Sequence, residues 1–209
     1  MKKITLFSVL AVLFAAMSFT SCNSSSDNSA QLPTQQEAYA MMQKIAGYGS
    51  HNCGILFPED TKNNITKDSV TTSITITPAD STYRIANFPV SLLAKYVKNE
   101  KLSNLIKELP NQTLTGKLYC MSSTTPFFYS LTQNITFTDE TGNKYTLAFY
   151  GGYSKYSMAG IAQDNKHFLM YLTPGAIYNG TEIMNDVLKT QVGTYGSAPY
   201  TMFLRYALN

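Results

Sequence analysis

The period of apolar positions changes several times along the chain. Ala38, Met41, Met42 and Ile45 fall at i, i+3, i+4 and i+7, one face of a helix. Thr34-Gln35-Gln36-Glu37 ahead of them fits a capping box, and Gly47 suits the stop. Val70, Thr72, Ile74 and Ile76 then alternate with Thr71, Ser73, Thr75 and Thr77, which predicts a half-buried, β-branched strand. Residues 78–81 supply a turn into a second strand at 83–86. Phe127, Tyr129, Leu131, Gln133, Ile135 and Phe137 share one parity. Thr-Gly-Asn within 139–143 marks a hairpin turn, after which Tyr145, Leu147 and Phe149 return. A last strand is expected over 200–208, with Met202, Leu204, Tyr206 and Leu208 on one side.

Between the hairpins the pattern is helical. Pro89 suits a first turn. Val90, Leu93, Ala94 and Val97 form one face; Leu102, Leu105, Ile106 and Leu109 form another after Asn99, and Pro110 ends it. Residues 181–188 are expected as a third helix, with Ile183, Val187 and Leu188 inward. The two hairpins, 69–86 and 130–148, read alike: five of nine positions match between 69–77 and 130–138. An internal duplication and convergent strand composition both account for this. The elements sum to an α+β fold over residues 34–209. An antiparallel sheet of roughly seven to nine strands is expected with two to three helices. It is either curled (a half-barrel, or calycin-like) or folded into two layers.

The first 21 of the 209 residues stand apart from this domain. Lys2 and Lys3 precede an apolar run, Ile4 to Met17, too short for a transmembrane span. It ends in Phe19-Thr20-Ser21-Cys22, small residues before a cysteine, as in the lipobox of bacterial lipoproteins. Residues 1–21 thus read as a lipoprotein signal peptide, with Cys22 lipidated and anchoring the protein to a membrane. Residues 22–33 read as a disordered polar tether, whose 11 residues after the cysteine reach ~35 Å when extended. Asn23 at the second mature position suits the outer membrane, with the periplasmic or surface face open. Losing Lys2 and Lys3 lowers the formal net charge from +3 to +1. A nearly neutral domain has no electrostatic ground for nucleic-acid binding.

Candidate chemistry is sparse. There are three cysteines and two histidines. With Cys22 lipidated, Cys53 and Cys120 remain, an even pair in an oxidising compartment, so a disulfide and two buried free thiols are both open. His51 and Cys53 would share a face of a strand, which permits a Cys–His pair but names no oxyanion donor. No spacing suggests a metal site, and no phosphate-loop or Gly-x-Ser-x-Gly pattern appears, so no cofactor is implied.

The lipobox, the capped helix ending Ile45-Ala46-Gly47-Tyr48, the Ser/Thr-rich strand and Asn87-Phe88-Pro89-Val90-Ser91-Leu92-Leu93-Ala94 resemble a family of Bacteroidetes lipoproteins, domain-of-unknown-function group 4840. The resemblance spans nearly the whole mature chain. It implies an envelope location and carries over no catalytic residue.

Tyrosine is the one compositional excess, with 15 in the chain, crowded in the second half. Tyr150, Tyr153 and Tyr156 flank Gly151-Gly152, which can bend a strand and turn rings outward. At least two of the three are expected to be exposed, near Tyr195, as a binding face. The expected function is non-enzymatic binding of a glycan, a small ligand or a protein partner at the cell envelope. An envelope hydrolase and a passive structural or adhesion subunit are the alternatives, so whether the protein is an enzyme stays open.

Overall fold

The structure is a computed structural model that describes residues 32–47, 49–57, 68–193 and 196–208. Residues 1–31, which hold the expected signal peptide, Cys22 and most of the expected tether, lie outside the described residues, as does Tyr195.

Helix α1 (Gln35–Ala46) starts at the expected box. The Thr34 backbone N–H donates to the Glu37 carboxylate (2.8 Å), and the Glu37 N–H donates to Thr34 Oγ1 (3.3 Å). β1 (Ser50–Phe57), β2 (Asp68–Thr77) and β3 (Thr82–Phe88) follow. The helical stretch divides into a 3-10 helix (Val90–Tyr96) and α2 (Glu100–Lys107), the latter N-capped by Asn99. Next come β4 (Gln112–Cys120), β5 (Phe127–Thr132), β6 (Ile135–Thr138), β7 (Lys144–Phe149), β8 (Met158–Ile161) and β9 (His167–Leu172). The chain ends in β10 (Pro174–Asn179), β11 (Glu182–Met184), β12 (Thr190–Gly193), β13 (Gly196–Pro199) and β14 (Met202–Ala207).

The fold is α+β, and the sheet closes. Eight antiparallel strands form a barrel in the order β1-β14-β9-β8-β5-β4-β3-β2. Closure comes from β14, which pairs with β1 (Ile55 opposite Leu204) and with β9 (Met170 opposite Leu204). Two insertions leave the barrel, β6–β7 after β5 and β10–β13 after β9. They meet as a second sheet, β11-β10-β7-β6, beside a β12–β13 hairpin. Of the two stretches that read alike, 69–86 lies wholly in the barrel, whereas 130–148 crosses from the barrel into the second sheet.

That crossing corrects the single parity expected over 127–137. In β5 the buried residues are Phe128, Ser130 and Thr132; in β6 they are Ile135 and Phe137. The irregular pair at 133–134 changes register, so Phe127, Tyr129 and Leu131 face out of the barrel. The expected helix over 181–188 is also corrected. Glu182–Met184 pairs with β10, and Leu188 bridges Val97. Asp186 sits at φ 55, a left-handed conformation that breaks a helix, and the partner strand supplies the hydrogen bonds instead.

The barrel interior is filled by side chains. Ile55, Phe57, Ile74, Tyr83, Ile85, Phe128, Phe168, Met170, Met202 and Leu204 are essentially inaccessible, as suits eight strands, whose bore just holds one layer of side chains. The Tyr83 hydroxyl bonds Thr132 Oγ1 (2.7 Å). Opposite Tyr83, Gly116 has no space for a side chain: a Cβ would lie 2.4 Å from Tyr83 Oη and from the Leu131 carbonyl oxygen. Helix α1 is tied to the barrel by its last turn. Tyr206 Oη donates to the Ile45 carbonyl, and His51 Nε2 donates to the Ala46 carbonyl (2.6 Å).

Asp139 fastens the β6–β7 turn. Its carboxylate, 3% exposed, accepts from Lys101 Nζ on α2 (2.7 Å), Thr141 Oγ1 (2.7 Å), the Asn143 N–H (2.9 Å) and Tyr145 Oη (3.2 Å). The Lys101 ammonium, then Thr141, hold this carboxyl far below the usual range.

Candidate functional site

His51 and Cys53 do share the inner face of β1, but neither is placed for catalysis. The His51 ring caps α1 and stacks on Tyr206, with centroids 4.5 Å apart. Gly47, at φ 53, makes that contact possible, since a Cβ there would lie 2.8 Å from the ring. Cys53 is 2% exposed, and burial pushes its thiol up to about 12. A thiol so placed stays protonated and unreactive.

Of the two readings open for Cys53 and Cys120, a disulfide or two free thiols, the structure has the free thiols, with Cys53 buried and Cys120 half-buried. In the barrel, β2 and β3 separate β1 from β4. Three interstrand spacings amount to ~14 Å, beyond the ~7 Å between Cα atoms that a disulfide spans. Cys120 instead donates from Sγ to the Ser122 carbonyl (3.3 Å). Among the described residues, no three His, Cys, Asp or Glu side chains come together as a metal cluster.

The tyrosines also differ from expectation. Tyr153 is 62% exposed, but Tyr150 and Tyr156 are half-buried and lean on each other, with centroids 5.1 Å apart. One ring of the three is open to water, where at least two were expected. The reason is the segment 150–157, which packs down instead of standing off the barrel. Ser157 Oγ donates to the Gly152 carbonyl (2.7 Å), Ser154 N–H bonds the same oxygen (2.8 Å), and Thr173 Oγ1 donates to the Tyr156 carbonyl (2.8 Å).

Tyr153 is instead joined to two residues of β5 that face out of the barrel. Its ring meets Tyr129 edge to face (5.4 Å, 67°), and Tyr129 meets Phe127 in the same way (5.5 Å, 65°). Phe127, Tyr129 and Tyr153 form a continuous aromatic ridge on the outer wall. Edge-to-face pairs of this kind hold rings in place beyond what area burial alone would do. The signal in the sequence was Phe127-Phe128-Tyr129, three consecutive aromatics at the start of a strand, which gives both faces apolar rings.

His167 begins β9 and faces outward. Its Nδ1 donates to Asp164 Oδ2 (2.5 Å), while the Arg205 guanidinium rests against the ring, with Nη2 3.0 and 3.2 Å from its two nitrogens. Asp164 Oδ1 accepts from the Lys166 and His167 N–H groups. These bonds, the backbone N–H of Lys166 first, hold the Asp164 carboxyl below its ordinary value.

No curated protein and no solved structure matches the chain. A family profile does match, over residues 46–179, which spans β1 to β10 and includes the aromatic ridge but ends before β14. The chain therefore belongs to the family described as Domain of unknown function (DUF4840).

Proposed function

We propose that this chain is a cell-envelope lipoprotein, anchored by lipid on Cys22, that holds a glycan or a protein partner on its outer aromatic ridge without transforming it. The observation that carries the binding part is Tyr153, 62% exposed yet braced against Tyr129. A tyrosine ring fixed in water offers a large amphipathic contact at small entropic cost. The filled barrel interior supports the same reading, because it turns recognition to the outside wall. The anchor rests on the leader and on Phe19-Thr20-Ser21-Cys22. The burial of Cys53 speaks against one form of the hydrolase alternative, a Cys–His pair.

Two measurements test the reading separately. Cells fed labelled palmitate should label the wild-type chain and leave Cys22→Ala unlabelled; an unlabelled wild type removes the anchor. A photo-crosslinking residue at position 153 in the full chain should trap an adduct, and mass and glycosidase sensitivity then separate a protein from a glycan. The control is Tyr39, an exposed tyrosine on α1. Equal trapping at 39 and 153, or none at 153, would remove the ridge.

A further inference from the structure

A second feature of the outer wall lies across β8 and β9 from the ridge. Asn52, Gly54 and Leu56 of β1, Arg205 and Ala207 of β14, and His167 of β9 line a shallow groove of about 330 Å³. Gly54 stands opposite Arg205 in the ladder, in the middle of an eight-residue strand paired on both sides. Its backbone is not in the left-handed region, and a Cβ built on it meets nothing within 4 Å. Neither conformation nor packing therefore calls for glycine, which weakens a strand interior. What its missing side chain does create is the floor of the groove beside Arg205.

We infer that this groove binds a small monocarboxylate with an apolar tail, the carboxylate on Arg205 and the tail along Leu56 and Phe203. Arg205 presents a planar fork that fits a carboxylate with two parallel hydrogen bonds. Among the described contacts it engages Nη2, on His167 and 3.6 Å from Asp164. Asp164 orients His167 through Nδ1, and His167 in turn supports the guanidinium. The same carboxylate offsets part of the Arg205 charge, which suits a single negative charge better than a double one. Asn52 adds an amide at the polar end. At the other end Leu56 pairs with Phe203, and Phe203 with Tyr171, whose rings meet edge to face at 5.0 Å. A free fatty acid and the C-terminus of an apolar peptide share this chemistry.

Octanoate, octanol, octyl phosphate and N-acetyl-leucine are the probes, titrated into the purified chain and followed by calorimetry and amide NMR shifts. Octanoate or N-acetyl-leucine should bind with shifts at Gly54, Arg205 and Ala207, and whichever binds tighter names the source of the carboxylate. Octanol and octyl phosphate should bind at least ~10-fold more weakly. Gly54→Val should fill the groove and abolish binding while keeping the melting temperature, since the added side chain has room. Arg205→Gln should weaken binding ~10-fold or more. The assignment is overturned by no shift at about 10 mM of either carboxylate, a concentration far above any useful affinity. Equal binding of octanol, or binding that survives Gly54→Val, overturns it too. So does a Gly54→Val chain that melts well below wild type, because the fold itself would then demand the glycine. Loss of the ridge would leave each of these outcomes untouched.

Discussion

The claim that recognition happens outside the barrel stands on its interior being solid, and Gly116→Ala tests that directly. Gly116 is not at a positive φ, so in open space alanine would be preferred by ~0.4–1 kcal/mol through the unfolded state. The structure reverses the sign. The new methyl would come 2.4 Å from the Leu131 carbonyl, a ladder atom that cannot swing away, and 2.4 Å from Tyr83 Oη. Tyr83 is 1% exposed and bonded to Thr132. Overpacking of this kind costs ~1–3 kcal/mol. Pushing the ring off Thr132 strands two buried hydroxyls at ~1–2 kcal/mol more. We expect a loss of ~2–5 kcal/mol in all, which at a urea slope of ~2 kcal/mol/M lowers the midpoint by ~1–2.5 M. Tyr83→Phe alone should cost only ~1 kcal/mol. Combined with Gly116→Ala it should relieve the hydroxyl clash but not the carbonyl one, giving a coupling of ~1 kcal/mol. A Gly116→Ala chain as stable as wild type, or more stable, would mean free space around Tyr83. An interior ligand would then replace the outer ridge as the leading site.

Tyr153→Ala removes a ring only about one-third buried, so the cost in stability should stay within ~1 kcal/mol while trapping by a photo-crosslinking residue placed at position 129 is lost; a melting loss worth ~3 kcal/mol would make Tyr153 core. Iodoacetamide with peptide mapping should label Cys120 in the native protein well before Cys53, which should react only after unfolding; equal rates would refute the burial of Cys53. The folded Cys53 thiol is pushed up to about 12, above its unfolded value near 8.5, so its contribution is complete below ~8.5 and is lost as pH rises toward 12; Cys53→Ala should flatten that alkaline slope. The Asp139 carboxyl is lowered instead, so its contribution is present above the unfolded value of ~3.9 and is lost as pH falls below it. Asp139→Asn should therefore be less stable than wild type at neutral pH, with the gap closing below pH ~4, and a gap independent of pH would refute the Lys101 pairing.

Much of the local structure was legible. The Thr34–Glu37 box, the alternation of β2, the turn at 139–143 and the shared side of Met202, Leu204 and Tyr206 formed as read, while Leu208 falls just beyond the last strand. Each depends on residues within a few positions of one another, through a capping hydrogen bond or the pleat of a single strand. The ridge was only half legible. Tyr153 stands out beside its glycines, whereas Phe127 and Tyr129 only share a parity with Ile135 and Phe137, and the bend at 133–134 breaks that parity and leaves the first two on the outer face. In a strand with apolar residues on both faces, alternation does not say which face is inside.

The sequence by itself determined the helix starts and most strand positions, and the proposed lipid anchor on Cys22 rests on the sequence alone. Tertiary structure decided barrel closure, because β14 finds β1 some 150 residues upstream, a pairing with no local signature. It also replaced the helix expected over 181–188 by a short edge strand at Glu182–Met184 and a turn, since β10 supplied hydrogen bonds that outweighed propensity. And it chose which tyrosines meet water: once the wall closes, exposure depends on what packs across a strand, and no neighbour in sequence carries that information.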